Sequence, residues 1–190
     1  MKKVELRKKY KELRGTLSSD EVFSLSEQIF KNFLEYFKER SFQHVHLFLS
    51  IDKLKEVDTR LFIEYFSKQG AHLYVPKMIN DQLIALEIDS NTPLIINSWG
   101  ILEPEGDVDS GREGYDVILT PLLYCDPYGN RIGYGKGFYD GFFRSLTEAS
   151  LKIGVGFFSP EEKVDDASFF DVPIDYLVTP TEVLSFKDLL

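Results

Sequence analysis

The sequence predicts an α/β fold: a single three-layer domain over residues 1–190, built on an open, mostly parallel sheet with helices on both faces. Three observations carry that expectation. Short apolar runs recur at 44–49, 72–75, 116–119, 152–158 and 176–179, with the length and composition of strands. Amphipathic helical patterns lie between several of them, and the order strand, helix, strand points to parallel pairs joined by crossovers. The chain of 190 residues is 43% apolar, enough for a substantial core, and no internal repeat or linker divides it.

Taken in order, residues 2–14 are strong helix formers in which Leu6, Tyr10 and Leu13 make a thin apolar stripe on a charged segment. Ser18 followed by Glu21 reads as a capping box, and Val22, Phe23, Leu25, Ile29, Phe30, Phe33, Leu34 and Phe37 make a second, strongly amphipathic helix. The first strand, 44–49, leads through a polar loop at 52–58 to a third helix carrying Leu61, Phe62, Tyr65 and Phe66, which Gly70 stops. A second strand, 72–75, ends at Pro76. Residues 83–88 read as an inserted short strand followed by a turn at 91–93, and the stretch from Trp99 to Pro104 leads into a surface loop rich in Gly and Asp. The third core strand is 116–119. A glycine-rich loop then opens a helix at 138–147, before a fourth strand at 152–158 and a last one at 176–179.

Composition excludes several function classes. A net charge of −9 argues against sequence-independent nucleic-acid binding, which needs clustered Lys and Arg. No window is apolar for long enough to span a bilayer, and the charged N-terminus lacks the apolar run of a signal peptide. The one cysteine, Cys125, has no internal partner, and His44, His46 and His72 lack zinc-ligand spacing. The expectation is a soluble, cytoplasmic monomer with no nucleic-acid or membrane partner.

The segment with chemical content is 125–143. Alternating Gly133, Gly135 and Gly137 remove side chains from one side of the loop and let backbone N–H groups turn inward around an anion. The following helix adds its free N–H groups, and Arg131 and Lys136 add full charges. Phosphate fits such a cradle better than a plain connector fits three glycines. Two better-known loops do not match: a Walker A loop needs Gly where this chain has Asn130 and Ser or Thr where it has Gly137, and the dinucleotide fingerprint is broken at Phe138. Asp140 reads from spacing alone either as a ligand for a hard cation or as a first-turn acid that stabilises the helix dipole.

With these residues in view, the chain resembles the 5-formyltetrahydrofolate cyclo-ligase family, also called methenyltetrahydrofolate synthetase. The family's block G-x-R-x-G-x-G-x-G-[FY]-Y-D stands at 129–140, and its N-terminal K-x-x-x-R pattern at Lys3 and Arg7, with a further Arg14. Glu56 to Thr59, Gly100 to Pro104 and Asp116 to Pro121 match further elements, in family order over nearly the whole chain. The resemblance implies an enzyme that uses ATP and Mg2+ to close 5-formyltetrahydrofolate to 5,10-methenyltetrahydrofolate, releasing ADP and phosphate, through phosphorylation of the formyl oxygen and attack by N10. A catalytically silent folate- or nucleotide-binding module of the same fold is the alternative. A sugar-phosphate enzyme would need a carboxylate base, for which Glu103 or Asp126 would have to serve.

Carried over by position, the resemblance assigns ATP to Lys3, Arg7, Arg14, Arg131, Gly133, Tyr134, Gly135, Lys136, Gly137 and Tyr139, with Lys136 and Arg131 catalytic. It assigns the folate to Leu49, Glu56, Trp99 and Tyr139, and magnesium to Asp140 and Asp171. Without it, Lys3 and Arg7 read as exposed helix charges, Glu56 as a solvated loop acid and Trp99 as core. The chain leaves the family's pattern in two places. The loop at 50–56 is slightly longer, and the C-terminal P-x-E-x-H-D pattern is altered, so that Asp171 keeps the aspartate position with Asp175 in reserve.

Overall fold

The computed structural model describes residues 1–97 and 100–189. Helix α1 (Lys3–Thr16) buries Leu6, Tyr10 and Arg14, while Leu13 of the expected stripe is exposed. The capping box forms: Ser18 Oγ accepts from the Glu21 N–H at 3.2 Å and the Glu21 carboxylate accepts from the Ser18 N–H at 2.7 Å, starting α2 (Ser19–Tyr36). Strand β1 (His44–His46) leads through a single 3-10 turn, Asp52–Leu54, to α3 (Arg60–Lys68), and then to β2 (His72–Ile79) and β3 (Gln82–Ile88).

β4 (Leu94–Ile96) and β5 (Leu102–Pro104) form a separate hairpin, followed by β6 (Val117–Pro121). A second small hairpin, β7 (Tyr124–Cys125) with β8 (Arg131–Ile132), carries the chain into α4 (Phe138–Ser145). β9 (Leu151–Val155), β10 (Tyr176–Val178) and β11 (Val183–Ser185) complete a seven-stranded sheet of order β11-β10-β9-β6-β1-β2-β3. Its five central strands are parallel, with Val45 beside both Leu73 and Val117, and Leu119 beside Ile153. β3 and β11 close the edges antiparallel.

Alternation along the strands makes the layers. Val45, Leu47, Val117, Leu119, Ile153 and Val155 face Ile29, Phe33 and Phe37 of α2 and Phe62 and Phe66 of α3. Tyr74 and Ile118 point the other way, against Phe142 and Phe143 of α4. Phe33 sits with its ring centroid 5.0 Å from Phe37 and 5.3 Å from Phe62, and truncating it to Ala should cost about 3–5 kcal/mol. α1 packs away from this core, on the β7–β8 hairpin through Leu6, Tyr10, Tyr124 and Ile132.

The expected fold class stands, and several elements differ in extent. β2 runs through Pro76 rather than ending there. Its ladder with β1 stops at Tyr74, so beyond that point no parallel bond is lost to the missing proline N–H, while the pairing with β3 continues through Ile79. The segment at 83–88 is no insertion but an edge strand, joined to β2 by a two-residue turn in which Asn80 and Asp81 take φ of 48° and 61°. The stretch expected to lead into the surface loop contains β5, Leu102–Pro104. Among the described residues no helix is long and apolar enough to cross a membrane.

Candidate functional site

A cleft of about 660 Å³ opens at the C-terminal ends of β1 and β6, the end at which open α/β sheets bind ligands. Three parts of the chain meet there. Leu49, Ile51 and Glu56 come from the segment after β1; Lys3 and Arg7 come from α1; Arg131 and the 133–140 loop come from β8 and the start of α4. Asp171 closes the wall. Of the sequence-assigned residues, Lys3, Arg7, Leu49, Glu56, Arg131, Gly133, Tyr134, Gly135, Lys136, Gly137, Tyr139, Asp140 and Asp171 all line this one cleft.

Two of the three loop glycines use the backbone freedom that only glycine has. Gly135 and Gly137 adopt φ of +88° and +70°, a region that a side chain would strain, while Gly133 does not. Gly135 is needed for space as well: a Cβ there would lie 2.9 Å from the Arg7 guanidinium carbon. Arg7 Nε donates to the Gly133 carbonyl at 2.9 Å, so α1 is seated directly on the loop. Lys136 stands exposed on the cleft wall.

Arg131 is buried and pairs with Asp140 at 2.8 Å, with its guanidinium 4.8 Å over the Phe143 ring. Burial pulls its pKa down against the pull of the Asp140 charge. Asp140 also accepts from the Val172 N–H at 2.9 Å, and Arg131 donates to the Val172 carbonyl, tying loop to C-terminal segment. Asp171 pairs with Lys3 and accepts from the Ser168 N–H at 2.6 Å. These two carboxylates fit a hard cation. Each is held at the cleft wall by a neighbouring positive charge, Arg131 for Asp140 and Lys3 for Asp171, and magnesium needs only one or two carboxylates beside phosphate oxygens and waters. Among the described residues no larger cluster of acidic, His or Cys side chains offers another metal site.

The opposite wall is apolar with sparse polar groups: Met78, Leu83, Ile101 and Leu102 around Glu56 and Lys77. Glu56 is only 5% exposed; burial raises its pKa, opposed by the Ile51 N–H at 3.0 Å, the Arg14 charge and the Tyr134 hydroxyl. Tyr139 lines the cleft with a fully buried hydroxyl that has no partner among the described residues, and burial raises its pKa strongly. Trp99 lies outside the described residues.

Three residues that the sequence reading weighed for the site, Arg14, Asp175 and Asp126, lie outside the cleft, and a fourth, Glu103, lines it with its carboxylate already engaged. Arg14 does not line the cleft; it is buried, donating to the Leu122 carbonyl at 3.3 Å and to the Tyr134 hydroxyl. Asp175 lies at the other end of the strands, accepting from the Lys152 N–H at 2.7 Å, away from the cleft that Asp140 and Asp171 both line. Asp126 is fully buried and accepts from the N–H groups of Tyr128, Asn130 and Val164, so it is no free base. Glu103 reaches the cleft but is 3.5 Å from Lys77 and accepts from Asn97 at 2.8 Å.

Lys77 was missed by the sequence reading. It is buried, bonded to the carbonyls of Pro104 and Gly106 at 2.9 and 2.8 Å and to Asp107 at 3.0 Å, and so fixes the β5 end against β2. The available signal was a lone lysine inside an apolar strand.

Residues 1–180 match the model of the 5-formyltetrahydrofolate cyclo-ligase family. The chain belongs to that family. It is 32% identical over 146 residues to the 5-formyltetrahydrofolate cyclo-ligase of Escherichia coli K12, covering 73% of this chain and 79% of the relative. The cyclo-ligase of Haemophilus influenzae is 26% identical over 93% of this chain and 97% of its own length. Among solved structures, the 5,10-methenyltetrahydrofolate synthetase of Aquifex aeolicus superposes with a TM-score of 0.83 at 31% identity, covering 99% of this chain and 94% of that one. Membership of the cyclo-ligase family carries the enzyme class with it, a ligase of folate chemistry.

Proposed function

We propose that the chain closes 5-formyltetrahydrofolate to 5,10-methenyltetrahydrofolate with ATP, releasing ADP and phosphate. The observation that carries this reading is the division of one cleft into a basic glycine-loop wall and a mostly apolar wall centred on Glu56. A nucleotide triphosphate suits the first and a flat pterin the second.

The formamide oxygen is a poor leaving group, so the chemistry needs it phosphorylated before ring closure. The oxygen takes the γ-phosphoryl group as the bond to ADP breaks. N10 then attacks the activated carbon, the carbon–oxygen bond breaks, and phosphate leaves with the oxygen while the N10 proton is lost. Such a transfer asks for positioning and charge neutralisation rather than a protein nucleophile. Lys136, Arg7, Arg131 and the N–H groups around Gly135 and Gly137 would hold the phosphates, and Lys3 would add a charge from α1. Asp140 and Asp171 would hold magnesium, which supplies neutralisation of the phosphate oxygens. Glu56 would accept from pterin N–H groups, with Leu49 and Tyr139 against the ring.

The test is a near-ultraviolet assay: protein, ATP and magnesium with 5-formyltetrahydrofolate should generate the absorbance of the methenyl product together with one ADP per product. No absorbance change, or product formed without ADP, would sink the reading.

A further inference from the structure

Arg14 is 4% exposed, and a buried guanidinium demands compensation. No carboxylate lies in ion-pair range of it among the described residues. It reaches instead the Tyr134 hydroxyl, with its guanidinium carbon 5.5 Å from the Tyr134 ring centroid. The same hydroxyl donates to Glu56 Oε1 at 3.2 Å, while Glu56 Oε2 accepts from the Ile51 N–H at 3.0 Å. One phenol therefore stands between a buried cation on α1 and a buried carboxylate on the cleft wall, accepting from the first and donating to the second. Its hydroxyl has no spare proton for a phosphate, although Tyr134 belongs to the glycine loop.

We propose that Arg14 and Tyr134 are positioning residues for the folate rather than contacts for ATP: through the Tyr134 hydroxyl they hold Glu56 charged and aimed at the pterin-binding wall. The inference rests on Glu56 facing the folate in the function proposed above. It also accounts for an oddity of that wall, a carboxylate that is nearly buried yet has to accept hydrogen bonds. Burial alone favours its protonated form, which accepts poorly; the Arg14 charge and the hydroxyl oppose that. The phosphate loop thus carries a side chain that reads the other substrate.

Tyr134→Phe is the informative variant, because the ring and its contact with Arg14 remain while the hydroxyl goes; Arg14→Ala would also leave a cavity under α1. Losing a hydrogen bond to a charged group predicts about a tenfold rise in the KM and in the calorimetric Kd for 5-formyltetrahydrofolate, the latter measured without ATP, with the KM for ATP within about twofold. Equal rises for both substrates, or a rise for ATP alone, would overturn the inference and return Tyr134 to the phosphates. Glu56→Gln separates the two levels of the argument. If it leaves folate affinity unchanged, Glu56 is not the pterin acceptor and the positioning role falls while cyclisation can still be measured. If wild-type protein binds no 5-formyltetrahydrofolate at all, the cyclisation reading falls first.

Discussion

At the C-terminal ends of β1 and β6 charged side chains share the candidate cleft; at the N-terminal ends of the parallel strands they line a second hollow, of about 560 Å³, with Arg40, Asp116, Lys152, Asp175 and Lys187. The two sets are comparable in charge but differ in what the carboxylates hold. Asp116 accepts from the N–H groups of Gln43 and His44 at 2.6 and 2.8 Å, and Asp175 from that of Lys152, so both fix the starts of strands. In the cleft, Asp140 and Asp171 also accept one backbone N–H each, but their ion pairs are made with cations supplied by other elements, Arg131 and Lys3, whereas Asp175 pairs with the same Lys152 whose N–H it holds. Backbone partners cannot leave without unfolding, whereas side-chain cations can turn to a phosphate. Charge and concavity are common to both hollows; what sets the cleft apart is that its carboxylates are paired with cations drawn from different elements.

The largest expected effect breaks the symmetry between the two hollows. Lys136→Ala should lower kcat/KM by about 100-fold or more, the usual cost of removing a preorganised charge from the phosphates in the transition state, and Asp140→Ala should do likewise. Thermal midpoints of Lys136→Ala should stay near wild type, since that lysine is exposed. Wild-type turnover in both variants would show that the cleft is no more functional than its counterpart.

Asp175→Ala should do the reverse. It leaves the Lys152 N–H without its acceptor and Lys152 Nζ, now 3.1 Å away, without its charge partner. A cost of about 1–3 kcal/mol in unfolding free energy is expected, with both KM values and kcat within about twofold of wild type. Denaturant titration beside the steady-state assay checks it, and a selective loss of turnover would reinstate Asp175 as a site residue.

Legibility in the sequence followed the same division. The glycine loop was readable because its needs are local: positive φ at Gly135 and Gly137 and an adjacent helix start are properties of one short segment. The fold class was readable because strand and helix periodicities are local too. What escaped depends on distant neighbours. Nothing in the run Tyr-Val-Pro-Lys-Met tells that Lys77 bonds carbonyls 27 and 29 residues away, and the continuation of β2 past Pro76 depends on which neighbour its backbone faces. Arg14 looked like a third basic residue of the ATP set, yet its place behind Tyr134 is decided by the 120-residue separation that folding closes.

His46 tests the ground between the two ends. It lies on β1 under α4, with both ring nitrogens buried and unpartnered among the described residues, and burial pushes its pKa down to about 3. The unfolded chain binds the proton near pH 6.5 and the folded one does not. Stability from this group is therefore fully present well above pH 6.5 and is lost as pH falls through it, by about 1.4 kcal/mol between pH 7.5 and pH 5.5. Denaturation curves at pH 7.5 and 5.5 should differ by that amount in wild type and by much less in His46→Leu; an equal difference in both would place the acid sensitivity elsewhere.

The smallest effect is the most diagnostic, because its sign separates packing from function at one atom. The Tyr139 hydroxyl is buried without a partner among the described residues, so its presence costs desolvation that no described contact of the folded protein offsets. Tyr139→Phe keeps the ring against Phe142 and Phe143 and should raise unfolding free energy by about 0.5–1 kcal/mol. If the hydroxyl is kept for the folate, the same variant should show a higher KM for 5-formyltetrahydrofolate and an unchanged KM for ATP. A variant more stable and equally active would mean that the hydroxyl serves neither purpose. A less stable one would mean that an ordered water, absent from the protein's own hydrogen-bond network, already satisfies it beside His46, whose ring centroid is 6.4 Å from that of Tyr139.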